Sequence, residues 1–413
     1  MRTDLMLLLL AATPAAAQAP PLTLREARER ARATSPELAA AQASARAARL
    51  DARQAGAPPN PVLAIGRERT SGAGGVNAQT TLQLEQRLDF AGRPAAAAAA
   101  AARAGAAEAR VARTADLLDA RVSRLYARLA AAGRRVVLAD RLRALADSAA
   151  TRTARRVDAG DAAGYDRRRL DLEAARLAGV AIQERFEADS LTGELAALIG
   201  GTPSELRLAD TAFTPGELPV LDSLLVWMAT RPDLRAAGHL VEAARSEAAA
   251  RSRSRIPVPT IAAGYKTERT AGSADRQDGF IAGLALPLPF WDRRSAATAA
   301  GSALVEAAEA DLRAARRDAE VEVRRLHRAL ATALEQHRLF AGRLGPEADR
   351  ALVAINAGFI EGEVTAAQWL DAVRAWRDAQ ATLLLLDAAI VDRQAELAAA
   401  AGITFERLGG TTR

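Results

Sequence analysis

The chain has 413 residues, a net charge of +6 and a sequence pI near 10.5. Half of its residues are hydrophobic, 26% are charged and only 4% are aromatic, which excludes a polytopic helical membrane protein, with its several runs of about 20 apolar residues, and a low-complexity disordered chain. The absence of cysteine excludes disulfides, thiolate metal sites, a cysteine nucleophile and a lipid-modified N-terminal cysteine.

The basic charge is almost all arginine; Lys266 is the only lysine. Acids and bases alternate along helical patterns, which reads as solvated helix faces and not as a nucleic-acid surface. His239, His327 and His337 each stand alone in such patterns, so no metal site and no cofactor are expected.

In chain order, residues 1–17 read as a secretory signal. Met6–Leu10 begin a short apolar core, and Ala15 and Ala17 suit cleavage before Gln18. A helix is expected from about Pro36 to Ala55, with proline in its first turn where the missing N–H costs nothing. Two strands, 62–70 and 80–88, flank a polar loop at 71–79. In the second strand Leu82, Leu84 and Leu88 alternate with Thr81, Gln83, Glu85 and Arg87, which is period two with one apolar face. A long helix follows from Arg93 to Ala159, roughly 100 Å at about 1.5 Å per residue. Its leucines and valines, from Leu118 through Leu145, recur every three or four residues. A return helix runs from Asp161 to Ile199. The segment 201–219, rich in Thr, Pro and Gly, links to what comes next.

The same order then repeats. A helix spans Pro232–Arg253, strands span 258–268 and 280–288, and a long helix runs from Arg294 to about Glu361, perturbed near its middle by Pro346. A return helix spans Glu363–Ala401. Matching anchors lie about 200 residues apart. Ser35-Pro36-Glu37-Leu38 answers to Arg231-Pro232-Asp233-Leu234, and Pro59-Asn60-Pro61 to Pro257-Val258-Pro259. Leu88 through Arg93 answers to Leu288 through Arg293, Gly160-Asp161 to Gly362-Glu363, and Glu194-Leu195-Ala196-Ala197 to Glu396-Leu397-Ala398-Ala399. The chain is therefore read as a mainly α protein with a small β part, built from a duplicated half of helix, two strands, long helix and helix. The first repeat is 18–204, the linker or equatorial segment 205–229 and the second repeat 230–413.

Strands of about nine to eleven residues fit a membrane-spanning β-segment, and equally a soluble hairpin packed on helices. Four strands cannot close a transmembrane barrel, whose smallest members have about eight. If these strands span a membrane the chain must oligomerise, and three copies supply twelve. Alanine along the long helices permits the close approach that a thin-walled helical tube requires, although an ordinary antiparallel coiled coil fits as well.

The duplication, the strand pairs and the long Ala/Arg-rich helices together resemble the TolC-like outer-membrane efflux channels over nearly the whole mature chain. The turns Leu88-Asp89-Phe90-Ala91-Gly92-Arg93 and Leu286-Pro287-Leu288-Pro289-Phe290-Trp291-Asp292-Arg293 carry the most specific likeness, the second being most similar to the cobalt–zinc–cadmium branch. The resemblance implies a homotrimer with a 12-stranded β-barrel in outer-membrane lipid and an α-barrel extending into the periplasm. It also implies two partners, a periplasmic adaptor protein and an inner-membrane transporter of the RND type, with metal cations as the first cargo class and drug-like molecules as the second.

It further implies where the working residues fall. The turns at Gly160 and Gly362 become periplasmic tips, making Val157, Gly160, Asp161, Gly362, Glu363 and Val364 the expected adaptor contacts. Asp166, Arg169, Gln368 and Asp371 occupy the positions of a periplasmic gate, with surface carboxylates paired to neighbouring arginines as the alternative. A latch of the family, a Tyr three residues before the second glycine and an Arg two after it, is replaced here by Phe359 and Val364. Phe90, Gly92, Pro289 and Trp291 mark the strand-to-helix turns, with Phe90 and Trp291 candidates for an aromatic girdle. Trp369 and Trp376, at i and i+7, read as packing residues.

No P-loop, G-x-S-x-G or H-E-x-x-H occurs, so an enzyme is not expected. Two alternatives share parts of this pattern: the outer-membrane duct of a type I protein-secretion system, and a soluble periplasmic coiled-coil adaptor.

Overall fold

The computed structural model describes residues 21–73, 75–209, 213–214, 216–271, 275–408 and 411–412. The expected signal segment 1–17 lies outside them. In chain order the first half gives α1 (Leu24–Thr34), α2 (Pro36–Gly56), β1 (Val62–Gly72), β2 (Gly75–Arg87), α3 (Arg93–Asp158) and α4 (Gly164–Ile199). After β3 (Phe213–Thr214) the second gives α5 (Leu221–Met228), α6 (Pro232–Arg253), β4 (Thr260–Arg269), β5 (Arg276–Ala285) and α7 (Ser295–Leu339). A π-helical turn (Phe340–Leu344) leads into α8 (Gly345–Glu361) and α9 (Ala366–Ala401), and β6 (Thr411–Thr412) pairs with β3. The protein is mainly helical with a small antiparallel sheet, and the order helix, two strands, long helix, helix occurs twice.

Four expectations need correction. First, a short helix that periodicity did not reveal precedes the first helix of each half, α1 before α2 and α5 before α6; the capping box in which Thr23 and Glu26 satisfy each other's backbone N–H groups is the local signal for α1. Second, the hairpin loops are shorter than expected. β1 pairs with β2 as far as Gly72↔Gly75, and β4 with β5 as far as Arg269↔Arg276, so both hairpins extend into the segments read as loops. At their other ends the second pair is cut back: β4 starts after Pro259 and β5 stops before Pro287, because proline has no N–H for the ladder. Third, the return helices begin at Gly164 and Ala366 and not at Asp161 and Glu363. Thr365 and Gln368 form a second capping box that fixes the start of α9. Fourth, the segment 205–229, expected as a linker or equatorial segment without assigned elements, contains regular structure. It carries β3 and α5, and Leu22 bridges in parallel to Leu208 with Leu22 N–H donating to the Arg207 carbonyl at 2.6 Å.

Pro346 acts as expected. It sits in the first turn of α8, directly after the π-helical turn where Gly345 N–H donates to the Phe340 carbonyl, five residues back.

The described chain divides into two compact units that cut across the repeats. One comprises the described residues within 21–35, 116–224 and 323–412; the other comprises those within 36–115 and 225–322. In the first, α1, α3, α4 and α9 meet around Leu24, Val122, Tyr126, Leu195 and Val391, and the buried Tyr126 hydroxyl donates to the Leu22 carbonyl at 2.8 Å. A second cluster joins α3, α4, α8 and α9 through Leu142, Leu170, Leu177, Phe359, Trp369 and Trp376. In the other unit, helices approach closely through small residues. Ala106, Ala109 and Ala236 form a buried cluster between α3 and α6, and a Cβ added at Gly301 would meet Ala248 at 3.1 Å. Arg231 caps this region from within: its guanidinium is buried against Asp233 at 2.6 Å and Glu322 at 3.0 Å.

The four-stranded sheet of that unit has the order β1-β2-β4-β5, all antiparallel, with β1 and β5 as edges. Cross-strand partners point to the same face. One face therefore carries the rows Leu63–Leu84–Ala263–Ala282 and Ile65–Leu82–Tyr265–Phe280. The other carries Ala64–Gln83–Gly264–Ile281 and Glu68–Gln79–Glu268–Gln277.

Candidate functional site: helix-return turns and the exposed sheet

The two return turns have the same construction. α3 ends at Asp158 and Gly160 takes φ 85°; α8 ends at Glu361 and Gly362 takes φ 88°. Asp161 N–H donates to the Arg156 carbonyl at 2.7 Å, and Glu363 N–H to the Gly358 carbonyl at 2.9 Å. These six-to-one bonds are Schellman closures, which need a left-handed residue that glycine adopts without a Cβ penalty. The two turns lie together: a Cβ built on Gly362 would meet the Arg156 guanidinium at 3.3 Å. Asp161, Gly160, Gly362 and Glu363 are exposed, whereas Val157 and Val364 are partly buried, Val364 against the α8–α9 core.

The expected gate residues are not assembled within one chain. Asp166 and Arg169 lie in the first turns of α4, both half-buried. Gln368 is engaged in the capping box, accepting from Thr365 N–H at 3.0 Å and Oγ1 at 2.9 Å. Asp371 is 72% exposed and lies 3.9 Å from Arg374 on its own helix. Among the described residues, no hydrogen bond or ion pair joins Asp166 or Arg169 to Gln368 or Asp371. Phe359, at the latch position, is buried and stacks on Trp369 with ring centroids 5.3 Å apart, so it belongs to the core.

A polar link that sequence reasoning missed lies behind these positions. Glu173 of α4 has a side chain only 6% exposed. It accepts from Arg176 at 2.6 Å and from Arg374 of α9 at 2.9 Å. Burial pushes its carboxyl up, but the hydrogen bonds from Arg176 and Arg374 outweigh this and hold it below the ordinary glutamate range. The i,i+3 spacing to Arg176 is visible in the sequence; the pairing with Arg374, two hundred residues on, has no local signal. Trp376 and Trp369 are buried as expected of packing residues. Each keeps its indole N–H satisfied, Trp376 by Asp349 at 2.6 Å and Trp369 by Asn356 at 3.3 Å.

At the strand-to-helix turns the Asp89 carboxylate accepts from Gly92 N–H at 2.8 Å and Arg93 N–H at 3.3 Å, and so caps α3. Gly92 fits because a Cβ there would press on that carboxylate at 3.2 Å. In the second repeat Pro289 stands in the place of Asp89, and the acceptor moves to Asp292, which takes the Arg294 N–H at 2.9 Å. Phe90 is exposed, and Trp291 is 95% exposed against the edge of Phe290.

The sheet is the other unusual surface. Ile65, Leu82, Leu84, Leu284 and Phe280 on its apolar face are exposed, Phe280 to 92%. Among the described residues no helix is long and apolar enough to cross a membrane, and no three His, Asp or Glu side chains converge to hold a metal ion.

A family model described as "Outer membrane efflux protein" matches residues 227–403, most of the second repeat. No curated protein matches. Solved structures do. The channel CusC is similar at 18% identity, with a TM-score of 0.78 and 94% of each chain covered. The outer membrane protein VceC of Vibrio cholerae is similar at 20% identity, with a TM-score of 0.75, 92% of this chain and 96% of that one. The open-state outer membrane channel MtrE of Neisseria gonorrhoeae is similar at 20% identity, with a TM-score of 0.74, 92% of this chain and 89% of that one. At these identities the likeness establishes the fold.

Proposed function

We propose that the chain is the subunit of an outer-membrane efflux channel, a trimeric duct that passively passes substrate from a periplasmic adaptor and an inner-membrane transporter to the exterior. The observation that carries this reading is the sheet. It exposes a continuous apolar face and leaves both edge strands, β1 and β5, unpaired. In water such a sheet is an aggregation site. In lipid it is stable once closed by further strands, because closure satisfies every edge N–H and C=O. Three copies give twelve strands, an even number within the range of such barrels. The family match over 227–403 and the fold shared with outer-membrane channels support the same reading. A soluble periplasmic adaptor has no use for an exposed apolar sheet.

On this reading the turns at Gly160 and Gly362 are the tips that meet the adaptor. Asp166, Arg169 and Asp371 form threefold rings near the closed end, where carboxylates favour cations. Metal cations as the first cargo class rest on the Leu286–Arg293 turn. Catalysis plays no part, since the energy comes from the inner-membrane partner.

The test is the oligomer mass of protein extracted from outer membranes in detergent, combined with planar-bilayer recordings. A trimer giving discrete cation-selective steps is expected. A monomer or dimer without conductance, or a protein that washes off membranes with salt, would overturn the reading. Loss of metal resistance on deletion, with drug resistance unchanged, checks the cargo class.

A further inference from the structure

Charge is sorted between the two faces of the sheet near its hairpin turns. The row beyond the Ile65–Leu82–Tyr265–Phe280 band is Arg67–Thr80–Thr267–Asp278, and the next is Arg69–Ala78–Arg269–Arg276. Four arginines and one aspartate thus share the apolar face, all of them exposed. On the opposite face the same stretch holds Glu68 and Glu268, with Lys266 bound to Glu268 at 2.9 Å. Arg269 and Arg276 are direct cross-strand partners, an arrangement that is unfavourable for like charges. Only Arg276 has an acid at hand, Asp278 at 3.1 Å. Among the described residues, Arg67, Arg69 and Arg269 have no carboxylate within ion-pair distance.

The vertical order on this face is apolar rows, then the edge-to-face pair Tyr265–Phe280 at 5.9 Å, then arginines. That is the order of a bilayer leaflet: hydrocarbon, interface, headgroup. Adjacent strands lie about 4.8 Å apart, which sets Arg269 beside Arg276 and Arg69 two strands away, at roughly 10 Å. Guanidinium groups at this spacing bind phosphate oxygens bidentately, and an anion between them relieves the cross-strand repulsion.

We propose that the Arg69–Arg269–Arg276 row, with Arg67 beside it, is a binding site for the phosphates of an anionic lipid headgroup in the outer leaflet. This rests on the outer-membrane reading, which places the hairpin turns at the outer surface and the apolar face against lipid. The chemistry demanded is a phosphate with net negative charge on an acyl-bearing anchor. The charge lies at the edge of an apolar band and not in a cleft, so the anchor fills the band while the headgroup meets the arginines.

The test uses the full chain in detergent. Fluorescent lipid A is titrated into wild-type protein, into the triple variant Arg69→Gln, Arg269→Gln, Arg276→Gln, into the same three positions changed to Lys, and into Lys266→Gln on the opposite face. At about fivefold per arginine near the surface, the glutamine triple should bind roughly a hundred-fold more weakly. The lysine triple, which keeps the charge but not the bidentate fork, should fall between the glutamine triple and wild type, and Lys266→Gln should match wild type. Millimolar inorganic phosphate should not displace the lipid, and phosphatidylcholine should not compete. A glutamine triple within twofold of wild type overturns the assignment, and so does displacement by free phosphate, which would mark a soluble-anion site. If the glutamine triple does not assemble, the single variants Arg69→Gln and Arg269→Gln decide: each should lose about fivefold, and wild-type affinity in both overturns the site. Oligomer mass and bilayer insertion are read on the same preparations. Failure to insert removes the channel reading itself, whereas an inserted trimer without lipid A preference removes only the lipid site.

Discussion

Replacing Glu173 by glutamine tests whether the buried link between α4 and α9 holds the return helices together. The wild-type carboxylate receives charge-assisted hydrogen bonds from Arg176 and Arg374. Each such bond is worth about 1.5–3 kcal/mol. Glutamine keeps one acceptor oxygen but loses the charge, and its amide N–H₂ faces a guanidinium. Removing one partner of a fully buried pair costs about 3–5 kcal/mol. Arg176 and Arg374 are both nearly half exposed, so they rehydrate once released, and the expected loss falls to about 2 kcal/mol. For a unit of this size that lowers the thermal midpoint by about 4–8 °C. The measurement is a double-mutant cycle with Arg374→Gln, followed by circular dichroism on protein in detergent. A coupling energy of about 1–2 kcal/mol is expected; additivity within about 0.5 kcal/mol would refute the link. The pH dependence gives an independent check. Because the folded carboxyl titrates below the ordinary glutamate value, its contribution is complete above the unfolded pKa of about 4.3 and disappears as pH falls through the lower native value. The gap between wild type and variant should therefore be constant from neutral pH down to about 5 and close in stronger acid.

Three further outcomes are expected. Asp371→Ala, at an exposed carboxylate with only a 3.9 Å contact to Arg374, should raise single-channel conductance or relieve cation block with little change in thermal midpoint. Gly160→Val and Gly362→Val place β-branched residues at φ 85° and 88°, which should cost about 1–2 kcal/mol each in thermal unfolding and weaken binding of a purified adaptor more than the midpoint shift alone explains. Leu82→Arg, on the apolar face, should block membrane assembly at a cost of about 2–4 kcal/mol, while Gln83→Arg on the other face should assemble normally in a heat-modifiability gel.

Much of this was legible in the sequence because it is local or repeated. Period-two alternation in Thr81–Leu88 identified β2, and the spacing of Gly160 and Gly362 marked two turns whose positive φ values bear out a glycine requirement. The duplicated order needed only five anchors. What stayed hidden is of another kind. α1 and α5 are too short for periodicity to build up, and only a capping box betrays the first. The strand ends were misplaced at Val258 and Leu288 because the apolar pattern runs on past Pro259 and Pro287, where the ladder has no donor. The gate positions illustrate the limit of carrying roles by spacing. Gln368 falls on the expected residue count, yet its side chain is occupied in capping α9. Glu173, which lies at no expected position, connects α4 to α9 because the fold brings Arg374 to it.

The duplication also explains why one chain presents a single apolar face. Directly paired residues share a face, so each pairing in the sheet fixes the parity of the next strand. Leu63 and Ile65 of β1 pair with Leu84 and Leu82 of β2. Those pair with Ala263 and Tyr265 of β4, which in turn meet Ala282 and Phe280 of β5. Two hairpins separated by some two hundred residues therefore meet in the one register that sums their apolar faces; a slip of one residue at β2–β4 would send Tyr265 and Phe280 to the side of Gln83 and Glu85. The junction between halves is thus as strictly specified as either hairpin. The free edges β1 and β5 carry the same parity outward, so on the proposed trimeric reading further copies would extend a wall whose apolar side stays continuous, the condition a lipid-facing barrel imposes on every strand added to it.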